Sequence, residues 1–180
     1  MHADAPRSNV FLVGPMGSGK SAVGRQLAAR LGLAFVDCDE EIEARTGVDI
    51  PYIFEKEGEA GFRQREAEVI DDLTRREGVL LATGGGAILD PRTRQRLRDR
   101  GRVVYLRTSV DQQLARTRRS SDRPLLNNPD PRGTLQRLFE LRAPLYLEAA
   151  AIVVDTDGRK VRTVVDQICR HLGTGPGAPA

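Results

Sequence analysis

A glycine-rich segment directly after an apolar run most constrains how this chain can fold. Val10–Val13 is wholly apolar, and the next eight residues read Gly-Pro-Met-Gly-Ser-Gly-Lys-Ser, ending at Ser21. They match the pattern GxxxxGK[ST], in which a loop between a strand and a helix wraps its backbone N–H groups around phosphate oxygens. A chance glycine-rich turn would not require Lys20, which is one of three lysines in the chain. The sequence therefore predicts a nucleotide phosphate site between a first strand and a first helix.

The residue types in this loop indicate how it would hold a nucleotide. Its glycines let the backbone curl around phosphate oxygens, Lys20 can reach the β- and γ-phosphates, and the Ser21 hydroxyl can ligate Mg²⁺. Guanine-specific GTPases also carry an Asn-Lys-x-Asp stretch, but the other two lysines of this chain follow Glu55 and Arg159. A guanine-specific switch is therefore disfavoured.

Along the rest of the chain, apolar runs typical of buried parallel strands alternate with segments of helical periodicity. The predicted strands are Val10–Val13, Leu33–Val36, Val79–Ala82, Val103–Leu106 and Ile152–Val154. The predicted helices are Ser21–Leu31, Glu40–Arg45, one starting at Asp49 and Pro51, Glu59–Arg76, Arg92–Arg100, Val110–Thr117, Thr134–Glu148 and Val161–Leu172. This alternation predicts an α/β fold with a doubly wound five-stranded parallel sheet flanked by helices, and ligands at the carboxyl ends of the strands.

The length of 180 residues fits a single domain. We expect a flexible N-terminus over residues 1–8, one domain over 9–172 and a disordered tail over 173–180. Arg118–Arg132 contains three prolines and has no helical or strand periodicity. Loops of this length are uncommon inside compact domains and often act as lids over ligands, so we expect a lid at about 118–132.

Several classes of protein are excluded or disfavoured by composition. No apolar run approaches the roughly 18 residues that span a bilayer, and the first residues lack the apolar core of a signal peptide, so we expect a cytoplasmic protein with no membrane contact. Cys38 and Cys169 belong to no metal-ligand pattern, and both are expected to be reduced and mostly buried.

The basic residues raise the alternative of a nucleic-acid-binding phosphate-loop protein. The formal net charge is +3, and seven arginines lie between Arg92 and Arg107. Arginine prefers planar anionic partners such as phosphates and carboxylates. Aromatic residues make up only 4% of the chain, however, and there is no tryptophan, so no platform for stacking bases is indicated. We expect no nucleic-acid partner.

Two carboxylates follow the second predicted strand, in the segment Asp37-Cys38-Asp39. They would reach the ligand-bearing edge of the sheet beside the phosphate loop. Asp37 can hold a water bound to Mg²⁺, and Asp39 can orient or deprotonate a substrate hydroxyl. The spacing supports equally well a different role for Asp39, as the N-cap of the following helix.

Two further segments each allow a functional and a plain structural interpretation. Arg63 has Glu59 four residues before it and Glu66 three residues after it, a spacing that also suits an exposed row of ion pairs on a helix. Gly84–Gly86 follows the third predicted strand, where glycines permit either a flexible turn or close approach to a ligand.

Taken together, these segments resemble shikimate kinases. The matching stretches, in family order from about Val10 to Arg159, are GPMGSGKS, FVDCDEEIE, IFEKEGEAGFRQRE, ATGGGAI, DRPLL and LRAPLYLEAA. The resemblance implies a P-loop kinase with the fold of nucleoside monophosphate kinases. It also implies transfer of the γ-phosphate of ATP to the 3-hydroxyl of shikimate, with Mg²⁺, on the route to aromatic amino acids. We expect a monomer.

The resemblance also implies site residues, matched by position. ATP would be bound by Gly17, Ser18, Gly19, Lys20, Ser21, Ala22, Arg116, Arg123 and Arg159. Shikimate would be bound by Asp39, Arg63, Gly84, Gly85, Gly86 and Arg142. The metal would be held by Ser21 and Asp37, and the catalytic residues would be Lys20, Asp39 and Arg123.

Particular contacts follow from the same resemblance. Arg116 would lie against adenine, Arg159 would lie near the base, and Arg123 would meet the phosphates from the lid. The two arginines Arg118 and Arg119 stand where the family lid often has glycines. This chain therefore departs from the family pattern in its lid. Within the substrate site, Glu66 would hold Arg63 in place.

Two other functions remain alternatives within this fold. One is a kinase for another hydroxylated acid, of which gluconate kinase is the nearest in style. The Asp-x-Asp, Phe-Arg, triple-Gly and Arg-Ala-Pro-Leu-Tyr segments favour shikimate over it. The other is an inactive ATP-binding module that signals through movement of its lid.

Overall fold

The computed structural model describes residues 8–118 and 128–174. Its strands are β1 (Asn9–Val13), β2 (Ala34–Asp37), β3 (Val79–Ala82), β4 (Gly101–Arg107) and β5 (Ile152–Asp155). Its helices are α1 (Lys20–Leu31), α2 (Cys38–Thr46), α3 (Ile50–Leu73), α4 (Pro91–Arg100), α5 (Val110–Thr117), α6 (Pro131–Ala149) and α7 (Val161–Leu172), with a 3₁₀ turn at Ala87–Leu89. The predicted α/β class is confirmed.

The five strands form one parallel sheet in the order β2-β3-β1-β4-β5. β1 is central, because Phe11 lies opposite Leu81 of β3 on one side and Val103 of β4 on the other. The chain leaves β1 toward the β2 edge, returns through β3 and then crosses to β4. The sheet therefore changes direction at β1, and in such folds ligands bind at the carboxyl end of that strand.

Helices cover both faces of the sheet, and each face has its own apolar core. Phe11 and Tyr105 face the core shared with α3, α4 and α6, whereas Leu12 and Val104 face the core shared with α1 and α7. Successive strand residues point to opposite faces. Burial on both faces explains why the strands are continuous apolar runs rather than alternating ones.

Most predicted element bounds agree with the structure to within two residues. The two helices predicted before and after Gly58 are confirmed: they adjoin as α3 (Ile50–Leu73), and Gly58 between them has non-helical dihedral angles (φ 70°, ψ −178°) that kink the element. The second helix ends at Leu73 rather than at Arg76. A left-handed φ of this kind suits glycine. Across the break, the Arg65 guanidinium donates to both carboxylate oxygens of Glu57, at 2.8 and 2.6 Å. This ion pair connects the two helices across the kink.

The start of α2 decides between the two interpretations of Asp39. Asp37 is the N-cap, since its Oδ1 accepts from the backbone N–H groups of Asp39 at 2.9 Å and Glu40 at 3.2 Å. The helix therefore begins at Cys38 rather than at Glu40, and Asp39 lies in its first turn. The N-cap interpretation of Asp39 was wrong.

The ends of the predicted loop and tail also differ from the structure. Asp130 caps α6 by accepting from Gly133 N at 3.0 Å, so the helix begins at Pro131 and the predicted loop ends before Arg132. At the other end of the chain, Gly173 (φ 73°) and Thr174 close α7 rather than belonging to a tail. Residues 1–7, 119–127 and 175–180 lie outside the described part, as do most of the predicted lid and tail.

Two smaller expectations can be compared with the structure. Cys38 and Cys169 are both free and buried, as predicted. Over residues 8–118 and 128–174, no helix is long and apolar enough to cross a bilayer.

Candidate active site

A cavity of about 750 Å³ opens at the carboxyl ends of β1, β2 and β3. Its nucleotide side is lined by Gly17, Gly19, Lys20, Ser21, Ala22 and Arg116. Its other side is lined by Arg63, Gly84, Gly85, Gly86 and Arg142, and Asp37 and Asp39 line it between these two groups. The structure therefore brings most of the predicted site residues to one cavity, although they come from distant parts of the chain.

The phosphate loop, Gly14–Ser21, surrounds an ammonium group with backbone. Lys20 Nζ donates to the carbonyl oxygens of Gly14 at 2.6 Å and Pro15 at 2.9 Å, and to Ser18 Oγ at 3.3 Å. Gly19 adopts a left-handed conformation (φ 87°) before α1, and no side chain caps the first N–H groups of that helix. These N–H groups and the positive end of the helix dipole favour an anion at this position.

Ser21 and Asp37 form a pair of oxygen ligands beside the phosphate loop. The Ser21 hydroxyl donates to Asp37 Oδ2 at 2.8 Å, while the other carboxylate oxygen caps α2. A hydroxyl and a carboxylate are the hard oxygen ligands that Mg²⁺ prefers. The donor set therefore fits Mg²⁺, and the double use of Asp37 holds it in one orientation.

Asp39 lies between the two halves of the cavity. Solvent reaches it through the cavity mouth, while protein surrounds it on the other sides, and this partial desolvation together with nearby Asp37 raises its pKa. Lys20 and Arg63 oppose that rise. A carboxylate with a raised pKa is a better proton acceptor than an ordinary one, which suits a group that activates a hydroxyl.

Arg63 and Glu66 form a half-buried ion pair rather than part of an exposed row. Arg63 Nη1 donates to Glu66 Oε1 at 2.9 Å, and the Glu66 side chain is only 2% exposed. Arg63 Nη2 also lies 3.4 Å from Glu59 Oε1, and the Glu59 side chain is exposed. Burial raises the pKa of Glu66 to about 7, because desolvation outweighs the favourable charges of Arg63 and Arg142.

The glycine loop, Gly84–Gly86, leaves no room for a Cβ atom at its first and last residues. A Cβ atom on Gly84 would lie 2.6 Å from Glu66 Oε2, and one on Gly86 would overlap the Arg63 guanidinium. A Cβ on Gly85 would lie 3.5 Å from Arg142 Nη1. The loop therefore forms a turn that packs closely against the Arg63 and Glu66 side chains.

Comparison with known proteins identifies the family. The shikimate kinase family model matches residues 16–173 of the chain. A shikimate kinase from Alteromonas mediterranea is 55% identical over 94% of this chain and 99% of its own length. The chain belongs to the shikimate kinase family. The predicted ATP-dependent shikimate kinase is thereby confirmed as its function.

A solved shikimate kinase structure agrees with this assignment. The enzyme from Acinetobacter baumannii, in complex with shikimate, is 49% identical, covers 92% of both chains and superposes with a TM-score of 0.90. A gluconokinase from Sinorhizobium meliloti is 19% identical with a TM-score of 0.55, and therefore shares the fold alone. The comparisons thus favour shikimate kinase over the gluconate kinase alternative.

Two predicted nucleotide residues of this shikimate kinase family member, Ser18 and Arg159, lie apart from the cavity lining. Ser18 is buried beneath the phosphate loop, where it accepts from Lys20. Arg159 is exposed on the loop before α7 and donates to Gln167 instead. Arg123 lies outside the described residues. So does Arg119, one of the two arginines that stand where the family lid often has glycines. In contrast, Arg116 lines the cavity and donates to Gly17 O at 2.8 Å.

The cavity also contains residues that sequence reasoning did not assign. Phe54 lines its wall and packs on Phe62 at a ring-centroid distance of 4.8 Å. Behind the glycine loop, the Tyr146 hydroxyl donates to Gly85 O. Both aromatic residues fall within the stretches that carry the family resemblance, and Tyr146 follows Arg142 by four residues on α6.

Proposed function

We propose that this kinase transfers the γ-phosphate of ATP to the 3-hydroxyl of shikimate through residues that face each other across the cavity. The observation that supports this most directly is the position of Asp39 between the phosphate loop and the Arg63–Arg142 side. A phosphate donor, a proton acceptor and an anion-binding pair then adjoin one another. Such proximity converts the encounter of two substrates into a reaction within one complex.

The phosphate loop binds ATP in this proposal. Backbone N–H groups at the start of α1 and Lys20 hold the β- and γ-phosphates, and Lys20 exchanges its present carbonyl partners for phosphate oxygens. Arg116, fixed by Gly17 and Thr156, offers its guanidinium plane to the nucleotide end. Arg123 remains a sequence-based candidate for a contact to the transferred phosphoryl group.

Magnesium is held by Ser21 and, through the surrounding oxygen shell, by Asp37 in the same proposal. When bound, Mg²⁺ neutralises the charge that develops on the phosphate oxygens. The hydrogen bond of 2.8 Å between Ser21 Oγ and Asp37 Oδ2 supports this assignment, because it holds the two oxygen ligands next to each other.

Shikimate binds on the other side of the cavity. Arg63 and Arg142 receive its carboxylate, because a guanidinium pairs with a carboxylate in a planar, two-bonded geometry. Asp39 accepts a hydrogen bond from the reacting hydroxyl and takes its proton as the new O–P bond forms. The glycine loop supports the sugar-like ring by backbone contact, which the absence of Cβ atoms permits.

The proposal includes a monomeric, cytoplasmic enzyme with no nucleic-acid or membrane partner. One chain supplies both sides of the cavity, which supports action as a monomer. Sedimentation at assay concentration, with and without both substrates, tests the oligomeric state.

A substrate panel tests the reaction itself. ADP release is measured with ATP and shikimate, gluconate or nucleoside monophosphates, with Mg²⁺ and after chelation. Only shikimate with Mg²⁺ should give turnover, and phosphorus NMR should place the phosphate on the 3-hydroxyl. Lys20→Ala, measured on folded protein, should lose roughly 10²-fold or more in kcat. Turnover of gluconate alone would contradict the proposal.

A further inference from the structure

The glycine loop and α6 both contribute residues to the anion-binding side of the cavity. They are far apart in the chain, and the Tyr146 hydroxyl connects them. The glycine loop follows β3, and Arg142 lies on α6. Tyr146, also on α6, donates its hydroxyl to the carbonyl oxygen of Gly85. The Tyr146 side chain is 2% exposed, and its ring stacks on Tyr105 of β4 with centroids 4.9 Å apart.

This hydrogen bond fixes the central peptide of the glycine loop. The carbonyls of Gly84 and Gly86 accept from Ala87 and Leu89 in the 3₁₀ turn, whereas the carbonyl of Gly85 accepts from Tyr146. A trans peptide is planar, so holding its carbonyl also fixes the direction of the next N–H group. The bond therefore sets the tilt of the surface on which the Arg63 guanidinium rests at Gly86.

On the helix side, the same bond supports a weak turn of α6. Pro144 lies inside the helix and has no N–H group to donate to the carbonyl four residues before it. Arg142 precedes this proline by two residues and is 5% exposed, and its Nε has no partner among the described residues. Residues four apart share one helix face, so Tyr146 anchors the face that carries Arg142.

Tyr146 is able to act as a permanent donor. Burial raises its pKa well above the ordinary value of 10, despite the nearby Arg142 charge. The hydroxyl therefore keeps its proton through the neutral range, and the bond to Gly85 does not depend on pH there.

We propose that Tyr146 is a positioning residue for the acceptor carboxylate, whose hydroxyl ties α6 to the glycine loop and thereby sets the spacing between Arg142 and Arg63. The inference rests on the proposed function of this site and adds a residue that touches neither substrate. Its effect belongs to shikimate recognition, because the phosphate loop is held in place by Lys20, which donates to Gly14 and Pro15, and by Arg116, which donates to Gly17.

The test compares two substitutions that each remove one hydroxyl from the stacked tyrosine pair. Tyr146→Phe keeps the ring and deletes the bond to Gly85, leaving that carbonyl without this donor. Tyr105→Phe is the matched control, since the described residues show no hydrogen bond from its hydroxyl. We expect Tyr146→Phe to raise the shikimate KM about tenfold and to change the ATP KM less than twofold. Tyr105→Phe should leave both KM values within twofold.

A double-substitution cycle tests whether the effect passes through Arg142. Arg142→Lys keeps the charge but loses the planar fork. If Tyr146 acts by positioning Arg142, the two changes together should raise the shikimate KM by clearly less than the product of their separate effects. A multiplicative result would overturn the inference. All rates are read at a temperature at which circular dichroism shows each variant folded.

Other outcomes separate this inference from the proposed function. An unchanged shikimate KM in Tyr146→Phe, or equal changes in both KM values, would show that the hydroxyl has no specific role in shikimate recognition and would overturn the inference. The proposed function would stand in either case. Failure of the unaltered enzyme to phosphorylate shikimate would instead refute the proposed function.

Discussion

Replacing Glu66 by Gln should make the protein more stable, and the gain should grow with pH. Glu66 is 2% exposed, and one of its carboxylate oxygens has no hydrogen-bond partner among the described residues. Its ordinary pKa of 4.5 is raised to about 7 in the folded chain. Gln keeps the shape of the protonated side chain and can still accept from Arg63, but it has no charge to desolvate.

The size and sign of this change in stability follow from the different proton affinities of Glu66 in the folded and the unfolded chain. The folded chain binds its Glu66 proton more tightly than the unfolded chain, so between pH 4.5 and about 7 stability falls as pH rises. At about 1.4 kcal/mol per tenfold change in proton affinity, the full loss above pH 7 is about 3 kcal/mol. The Glu66→Gln variant does not lose this stability, because glutamine has no proton to release. A domain of this size gains roughly 2–4 °C in Tm per kcal/mol, so the pH-dependent gain is about 6–12 °C.

Urea unfolding and thermal melts at pH 5 and pH 8 measure the effect. The difference in stability between variant and unaltered protein should be larger at pH 8 by about 2–3 kcal/mol. Glu59→Gln is the control, because Glu59 pairs with the same Arg63 but its side chain is 54% exposed. That change should stay within about 0.5 kcal/mol at both pH values. A Glu66→Gln effect that is independent of pH, or that shrinks toward pH 8, would refute the reasoning.

Three further predictions concern the same cavity. Asp39→Asn should abolish phosphoryl transfer without lowering Tm. Asp37→Ala should lower the stability by about 1 kcal/mol, because it removes the N-cap of α2. Equal losses of Tm in the two variants would contradict the cap assignment. Gly86→Ala places a Cβ inside the Arg63 guanidinium, so the shikimate KM should rise while the ATP KM stays constant in steady-state assays. Arg63→Lys and Arg142→Lys should each raise the shikimate KM about tenfold or more, and an unchanged KM would remove that arginine from the site.

The sheet could be predicted from the sequence because each strand is buried on both faces and is therefore apolar throughout. Helix ends were less predictable where one residue type serves two purposes. Pro131 looked like part of a loop, yet proline also suits the first turn of a helix, where its missing N–H group costs nothing. The kink at Gly58 agrees with the two helices predicted there, whereas the ion pair of Glu57 with Arg65 across it was not predicted.

The phosphate loop was fully predictable, since its residues are contiguous and their spacing follows from the chemistry. The other side of the cavity depends on packing between distant segments. The sequence places Asp37 and Asp39 two residues apart but does not show which one caps the helix. The burial of Glu66 and the contact between Tyr146 and Gly85 arise only when α3, α6 and the glycine loop pack together. Local periodicity carries no information about those distances.

The break at Gly58 divides α3 into two parts that can unfold locally to different extents. Amide hydrogen exchange follows cooperative units, and a residue with non-helical angles interrupts the ladder of helix hydrogen bonds that would join them. Ile50–Glu57 forms the cavity wall near Phe54, whereas the part after Gly58 packs Val69, Ile70 and Leu73 into the core. Amides of the first part should exchange faster in the free protein and slow when shikimate is added, while those of the second part stay slow throughout. One glycine thus gives the cavity wall around Phe54 a folding equilibrium of its own.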